Sequence, residues 1–452
     1  MKIIIAGSGK VGTTLAQRLA QEGYTLTVID RDQQVLEHVC EQYDVMGVQG
    51  NCASMPVLQQ AGIADADLLI AATSEDEVNL LCCTTAHGLN PKLHTIGRIR
   101  NPEYTQQIHT LRDVFALSLS VNPELQAARE VERLLRFPGF LARDTFAKGR
   151  TAIVELRVEK DSKLCNVPLY QMNSIVKCKV LVCAVLRDGN SITPRGDFVL
   201  AEDDRIFVTA PTDNLSILLK NLGIVTRKVR KVLICGGGRV SHYLAERLCK
   251  SGISVSLIES NYGRCVQLAS LLPDATVVHG DATDQQLLES QGLTNCDALV
   301  TMTGLDELNM IISLYGTSKG VPQVITKLSK AENRSISDDL SLGSVICPRE
   351  LCCDDIVRYV RAMENQVGSA ISVHSIADGQ AEAVEFLVDE HTQYQNTPLK
   401  QIKLRSGVLL ASITRGGLTE IPSGESAFQK GNTILVVTSG RGKLRQLNDI
   451  FA

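Results

Sequence analysis

The sequence predicts an α/β protein written as a tandem duplication: two doubly wound parallel-sheet domains, each followed by a small α+β module. Three observations carry this. A glycine loop directly behind an apolar run, GSGKVG from Gly7 to Gly12, returns as GGGRVS from Gly236 to Ser241. After each loop, short apolar segments alternate with helical ones, the rhythm of right-handed crossovers between parallel strands. The texture then changes to short strands separated by turn clusters.

In the first half the pattern predicts strands at 2–6, 25–29, 45–48, 67–72 and 93–99, with helices at 11–22, 32–42, 54–61 and 75–87 between them. From about Gly149 to Leu222 the signals are strands such as AIVELRV and RIFVTA and the turns RDGN and PRGD. Boundaries are expected at Arg136 to Phe140, where Pro and Gly end a helix, at the charged linker Val225 to Lys231, and near Gln366 to Ser369. The expected domains are therefore 1–140, 141–225, 229–366 and 367–452.

The spacing inside the halves is shared. Gly7 and Gly236 are 229 positions apart, as are Asp30, closing LTVID, and Glu259, closing VSLIE. Ala66 to Leu81 matches Cys296 to Ile311 at an offset of 230, and both carry T-x-x-D-E-x-N: Thr73, Asp76, Glu77, Asn79 and Thr303, Asp306, Glu307, Asn309. NVPLYQ, Asn166 to Gln171, matches NTPLKQ, Asn396 to Gln401, also at 230.

A length of 452 residues fits two to four domains. The formal net charge of -4, with both signs interspersed, leaves no footprint for nucleic acid. Fourteen scattered cysteines without a C-x-x-C read as reduced thiols inside apolar patterns, which places the chain in the cytosol. No apolar run approaches the about 18 residues of a membrane helix, so a membrane role is expected to come through a partner.

In G-x-G-x-x-G the first glycine makes the turn, the second admits a pyrophosphate to the backbone, and the third lets the helix pack closely. Gly7, Gly9 and Gly12 supply these, with Lys10 as an added cation at the helix start. Asp30 stands where a ribose 2′-hydroxyl is recognised, which favours NAD over its 2′-phosphorylated relative; Arg31 beside it works the other way. The second loop has Ser241 for the third glycine and Glu259 for the aspartate. SEDE, Ser74 to Glu77, reads as a capping box, and TGLD, Thr303 to Asp306, as a weaker one; either is a helix cap alone or a cap that also borders the nucleotide. Arg98 and Lys327 follow the fifth strand of each half, as solvated charges or as cations for phosphate. His38, His87 and His109 read as helix-surface or satisfied residues, and no histidine has a metal-ligand spacing. With no repeated or clustered acid-base constellation, the expectation is nucleotide binding without catalysis. An NAD-dependent oxidoreductase with duplicated dinucleotide-binding domains is the alternative from the enzyme class, and a scaffold with vestigial clefts is a third.

Several spaced features together resemble one family: IIIAGSGKVGTTLAQRLAQEGYTLTVIDRD, GDAT from Gly280 to Thr283 with its counterpart GNCAS, T-x-x-D-E-x-N, SVNPE and N-x-P-L-x-Q. They are similar to the regulator-of-conductance-of-potassium domains, also called potassium transport nucleotide-binding domains, and the match spans the chain. The resemblance implies Rossmann-like NAD(H)-binding domains with ATP or ADP as further ligands. It also implies a homo-oligomer, a dimer or tetrameric ring, peripheral on the inner face of the plasma membrane under a membrane potassium channel subunit. Carried over, the binding residues are Gly7, Ser8, Gly9, Lys10, Val11, Asp30, Asn51, Cys52, Thr73, Ser74 and Arg98 in the first half. In the second they are Gly236, Gly237, Gly238, Arg239, Val240, Glu259, Asp281, Ala282 and Lys327. Asn51 departs from the family's aspartate at that loop.

Overall fold

The computed structural model describes residues 1–136, 140–224, 228–329, 340, 342–363, 370–439, 444 and 446–452. The boundary expected near Gln366 to Ser369 lies outside them, as do parts of the other two. Two compact units form, residues 1–129 with 347–360 and residues 130–346 with 361–452.

The first unit is built on six strands: β1 (Lys2–Ala6), β2 (Thr25–Asp30), β3 (Met46–Gln49), β4 (Leu68–Ala71), β5 (His94–Arg98) and β6 (Leu119–Val121). They form one sheet in the order β3-β2-β1-β4-β5-β6, parallel throughout. β1 is apolar on both faces, with Ile3, Ile4 and Ile5 buried, because helices cover both sides of a parallel sheet. Those helices are α1 (Lys10–Gln21), α2 (Gln33–Tyr43), α3 (Met55–Gln60), α4 (Asp76–Leu89), α5 (Pro102–Leu111) and the start of α6 (Pro123–Arg136). Asp32 caps α2 by accepting from the Gln34 and Val35 amides, and Asn101 caps α5 with Pro102 at its first position. Residues 347–360 complete the unit, tied by the Asp354–Arg18 and Asp355–Gln126 contacts and by Tyr359 on His94. Since β2 and β4 flank β1, the chain reverses its winding there, and the crevice beyond the strand ends at that point is where such sheets bind ligands.

The second unit contains three sheets. β7 (Ala142–Phe146), β8 (Thr151–Arg157), β9 (Leu181–Arg187), β10 (Asn190–Ile192) and β11 (Arg205–Pro211) make an antiparallel sheet ordered β10-β9-β11-β8-β7, on which α7 (Leu169–Val176) and α8 (Leu215–Leu222) pack. The expected RDGN turn joins β9 to β10 with Asp188 and Gly189 both at positive φ, the geometry a tight hairpin requires.

The second parallel sheet uses β12 (Lys231–Cys235), β13 (Ser254–Glu259), β14 (Thr276–His279), β15 (Ala298–Thr301), β16 (Gln323–Lys327) and β17 (Ser344–Ile346), ordered β14-β13-β12-β15-β16-β17. Its helices are α9 (Arg239–Lys250), α10 (Tyr262–Leu271), α11 (Gln285–Ser290), α12 (Asp306–Ser318) and α13 (Pro348–Met363), the last contributing most of its length to the first unit. The topology of the first sheet is thus repeated strand for strand.

The last sheet, β18 (Ala370–Ile376), β19 (Ala381–Leu387), β20 (Val408–Arg415), β21 (Leu418–Glu420) and β22 (Thr433–Ser439), is antiparallel in the order β18-β19-β22-β20-β21. Six residues separate Gln401 from β20, against nine between Gln171 and β9, so a 3-10 turn at Leu399–Gln401 replaces α7. The two antiparallel sheets share a core of small and medium side chains, including Ala184, Phe207, Ala383 and Val437. Arg205 spans the two modules, bonding Glu155 at 2.5 Å and Asp378 at 2.7 Å. Among the described residues no helix is long and apolar enough to cross a membrane.

Candidate nucleotide clefts

In the first cleft Gly7 to Gly9 make the whole turn from β1 to α1. Gly7 lies at φ +99°, and a Cβ on it would press on the Thr73 backbone at 3.0 Å. A Cβ on Gly12 would come within 1.8 Å of the Gly7 carbonyl oxygen, so helix and loop approach at a distance only glycine permits. Gly9 is different. Its backbone is extended, and a Cβ there meets nothing within 4 Å. It opens onto the start of α1, which no side chain caps, so first-turn amides and the helix dipole face that space. Lys10 is exposed beside it, while the Val11 side chain is buried and offers the cleft only its backbone.

Asp30 closes β2 and is tied to the loop: its Oδ2 accepts from the Ser8 amide and hydroxyl, both at 2.6 Å, and its Oδ1 from the Asp32 amide at 3.0 Å. Partial burial opposes its charge, but the Ser8 and backbone donors outweigh it and hold the carboxyl below the usual range. About four acceptor sites on a carboxylate leave room for a ribose hydroxyl beside these three donors.

The second cleft reaches the same connection differently. Glu259 is one methylene longer and accepts from the Gly237 amide and the Asn261 amide, both at 2.7 Å. A Cβ on Gly237 would lie 2.9 Å from Glu259 Oε2 and 2.6 Å from Leu268. Ser with Asp, and Gly with Glu, are therefore two fillings of one volume. Gly238 repeats the open position of Gly9, and Arg239 the exposed cation. The tighter contact expected at Ser241 is a fully buried hydroxymethyl whose Oγ has no hydrogen-bond partner. Next to it His242 stands where the first half has Thr13, whose hydroxyl donates to the Ser8 carbonyl at 2.8 Å. Burial lowers the His242 pKa, Glu246 opposing and Arg264 reinforcing the shift.

Beyond β3 and β14, Asn51 and Asp281 make the same turn, accepting from the backbone amides of Ala53 at 3.2 Å and Thr283 at 2.9 Å. The backbone and hydroxyl of Thr283 lower the Asp281 pKa. Cys52 and Ala282 face the core, so their side chains do not line the cleft.

The capping boxes expected at Ser74 and Thr303 are not formed: α4 and α12 begin at Asp76 and Asp306, and no side chain caps either. Asn79 holds this loop instead. Buried completely, it accepts from the Thr73 amide at 2.9 Å and hydroxyl at 2.7 Å, and donates to the Arg98 carbonyl at 2.9 Å. Asn309 makes the same contacts with Thr303 and Lys327. Asp76 accepts from the Arg100 and Asn101 amides, and Asp306 from the Ser329 amide. The repeated T-x-x-D-E-x-N thus ties the loops after the fourth and fifth strands together. Arg98 and Lys327 join in, their head groups donating back to Thr73 and to Thr303, the latter at 2.6 Å. Ser74 is exposed.

One cleft residue escaped sequence reading. Arg264, in the first turn of α10, donates from Nε to the Gly237 carbonyl at 2.8 Å, where the first half has the apolar Val35. A basic residue five positions past the strand-end acid was its only signal. Of the histidines, His38 is exposed and His87 has a buried, unpartnered Nδ1; the His109 side chain lies outside the described residues.

These paired loops can be set beside known proteins. The TrkA-N domain model matches residues 3–116 and 232–348, and the TrkA-C domain model residues 153–223 and 383–452. The chain belongs to the TrkA family. Among its relatives, the Trk system potassium uptake protein TrkA of Halomonas elongata is 30% identical over 456 aligned residues, covering 100% of this chain and 98% of that one. The TrkA homolog of Archaeoglobus fulgidus is 30% identical, with 100% of both chains covered. A solved structure described as the GsuK channel bound to NAD covers 97% of this chain and 76% of its own at a TM-score of 0.61 and 18% identity, a likeness of fold. The N and C domains alternate along this chain, each matched twice.

Proposed function

We propose that the chain is a nucleotide-sensing regulatory subunit of a Trk-type membrane potassium channel or transporter. It binds NAD or NADH in its clefts, with ATP or ADP as further ligands, and performs no catalysis itself. It works as a homo-oligomer, a dimer or tetrameric ring, peripheral on the cytoplasmic face of the inner membrane. The observation that carries this reading is the duplicated glycine loop: an uncapped helix start with open space at Gly9 and Gly238, and a strand-end carboxylate bonded to the loop, in a chain matched throughout by TrkA domains. Gly7 to Val11, and Gly236 to Val240, hold the phosphates through backbone amides. Asp30 and Glu259 take the ribose; Asn51, Cys52, Asp281 and Ala282 border the adenine through their loops; Thr73, Ser74, Arg98 and Lys327 shape the wall behind the pyrophosphate.

A ligand shifts a two-state ring only by its differential affinity for the two states, so nucleotides that place different charge in the cleft bias the channel differently. Calorimetry with NAD, NADH, ATP and ADP on the wild type and on Gly9→Asp and Gly238→Asp, with and without the membrane subunit, tests this. Binding lost in the variants and changed by the partner supports it. Turnover of nicotinamide by the purified chain would instead select the oxidoreductase.

A further inference from the structure

The second cleft carries an aromatic pair that the first lacks. Tyr262 opens α10, three residues past Glu259, and its ring meets that of His279, the last residue of β14, with centroids 5.5 Å apart and planes at 78°. His279 is fixed in turn, its Nε2 donating to the Ser260 carbonyl at 3.0 Å. Tyr262 nevertheless stays 69% exposed. An edge-to-face partner covers at most one face of a phenol ring, so the other face is open. The duplication supplies an internal control. At offsets of 229 and 230 the same two places hold Gln33 and Gln49. Gln49 Nε2 donates to the Arg31 carbonyl at 3.4 Å, so the tie between the two strand ends is kept without a ring. Gln33 donates along its own helix to Glu37 at 2.8 Å. The fold therefore asks for a donor at the end of the third strand and for no aromatic beside it.

The pair stands where a base would lie. It joins the end of β13, whose Glu259 is assigned above to the ribose, to the end of β14, where Asp281 follows His279 by two residues on the adenine side. Arg264, in the same helical turn as Tyr262, donates to the Gly237 carbonyl at 2.8 Å and anchors that turn to the phosphate loop. Phosphate loop, strand-end acid and ring are thus held together before any ligand arrives, which lowers the ordering cost of binding.

We propose that the open face of Tyr262 is a stacking platform for the adenine of a nucleotide in the second cleft, so that this cleft draws from the base an affinity that the first cleft, with glutamines there, does not. A nucleobase presents a π face, and losing its stack on an aromatic side chain lowers affinity by about fivefold to a hundredfold. NAD and ADP carry the same adenosine, so both lose by the same factor. The assignment rests on the nucleotide reading above and adds to it where the base lies. A ring in one cleft alone also gives the two clefts different affinities for one ligand.

The test uses full-length protein carrying Gly9→Asp and Asp30→Ala, which remove the phosphate and ribose contacts of the first cleft, so that calorimetry reads the second. In that protein Tyr262→Ala is expected to raise the Kd for NAD and for ADP by about fivefold or more, with the melting temperature unchanged because the side chain is exposed. Tyr262→Phe is expected to stay within about twofold of its parent, while Tyr262→Leu loses as much as alanine, since the ring face and not apolar bulk is used. In the complementary protein, carrying Gly238→Asp and Glu259→Ala, Gln33→Ala is expected to change the Kd for NAD by less than about twofold. A Tyr262→Ala protein that keeps its NAD affinity overturns the proposal and leaves the nucleotide reading intact, and so does full recovery by leucine or an equal loss on Gln33→Ala. If only the first cleft binds nucleotide, the proposal falls alone; if the wild type binds none, the nucleotide reading falls with it.

Discussion

Gly9→Asp separates binding from folding, because this glycine is kept open by nothing in the protein itself. Its φ of -69° and ψ of -173° suit any residue, and its Cβ would meet no atom within 4 Å. The substitution is therefore neutral or slightly favourable to the empty fold: an aspartate at the N-cap accepts from first-turn amides, worth only about 0.3 kcal/mol over glycine. Those amides are the ones a phosphate needs, so the gain becomes a loss when ligand competes for them. To it is added repulsion between carboxylate and phosphate at about 4 Å, roughly 1 kcal/mol in water and about 4 kcal/mol at an effective dielectric of 20. Together these weaken binding by about 1–4.5 kcal/mol, roughly fivefold to two thousandfold in Kd. Calorimetry with NAD and thermal unfolding of the same preparation read the two effects apart. Gly12→Ala is the contrast: its Cβ would lie 1.8 Å from the Gly7 carbonyl oxygen, so it is expected to lower the melting temperature as well as the affinity. A Gly9→Asp protein that binds NAD within threefold of wild type would refute the placement of the anion at this helix start.

Three further outcomes follow from the same geometry. Asn79→Ala removes the partner of the Thr73 amide and hydroxyl and of the Arg98 carbonyl; leaving such buried groups unpaired costs about 2–4 kcal/mol, read as a shift in the urea midpoint, and Asn309→Ala is expected to match it. Gly237→Ser is expected to destabilise the second unit because its Cβ meets Glu259, and Glu259→Asp in the same chain to recover most of the loss; additive effects in a double-mutant cycle would show that the two positions do not share one volume. His242, whose folded pKa lies below its ordinary value because of burial, contributes stability that is present above about pH 6.5 and lost as pH falls toward the folded pKa. His242→Thr, the residue of the first half, is expected to flatten the decline in melting temperature between about pH 7 and pH 5, and an unchanged slope would assign the decline elsewhere.

The first five strands and first four helices of the first parallel sheet were legible because each carries a local signal, continuous apolar runs for strands buried on two faces and a 3.6-residue period between them, whereas α5 and the three-residue β6 were not read. The glycine loops were legible because their residue types answer to backbone geometry, and the repeat doubled the evidence. The T-x-x-D-E-x-N motif was visible but its role was not. A serine followed three residues later by a glutamate has the form of a capping box, yet the loop is held instead by Asn79, which reaches back six residues to accept from the Thr73 amide and hydroxyl. Nothing in the local pattern distinguishes the two outcomes. Arg264 was missed for a related reason, since its role depends on a fold-level approach of α10 to the second glycine loop. The thin second small module, with a turn in place of α7, could have been read from the shorter spacing after Gln401.

The two walls of each cleft differ in how firmly they are held, and this decides where a ligand can act. On the wall made by the fourth and fifth strands, Asn79, Asp76 and Arg98 fix the loops to one another, and Gly7 is pressed against Thr73. A buried, satisfied network of this kind is rigid. On the other wall the link is the strand-end carboxylate, Asp30 on Ser8 or Glu259 on Gly237, joined in the second half by Arg264 on the Gly237 carbonyl, and in the function proposed above the ribose shares that carboxylate. On that proposal, binding perturbs the link between the glycine loop and the loops after β2 and β3, and leaves the opposite wall standing. The two halves differ at the residues on that side: Asp30 against Glu259, Ser8 against Gly237, Val35 against Arg264, and Cys52 against Ala282. A duplicated sensor whose rigid walls are alike and whose responsive walls differ can give the same nucleotide two different differential affinities, which is the condition for two clefts in one chain to bias a shared equilibrium by different amounts.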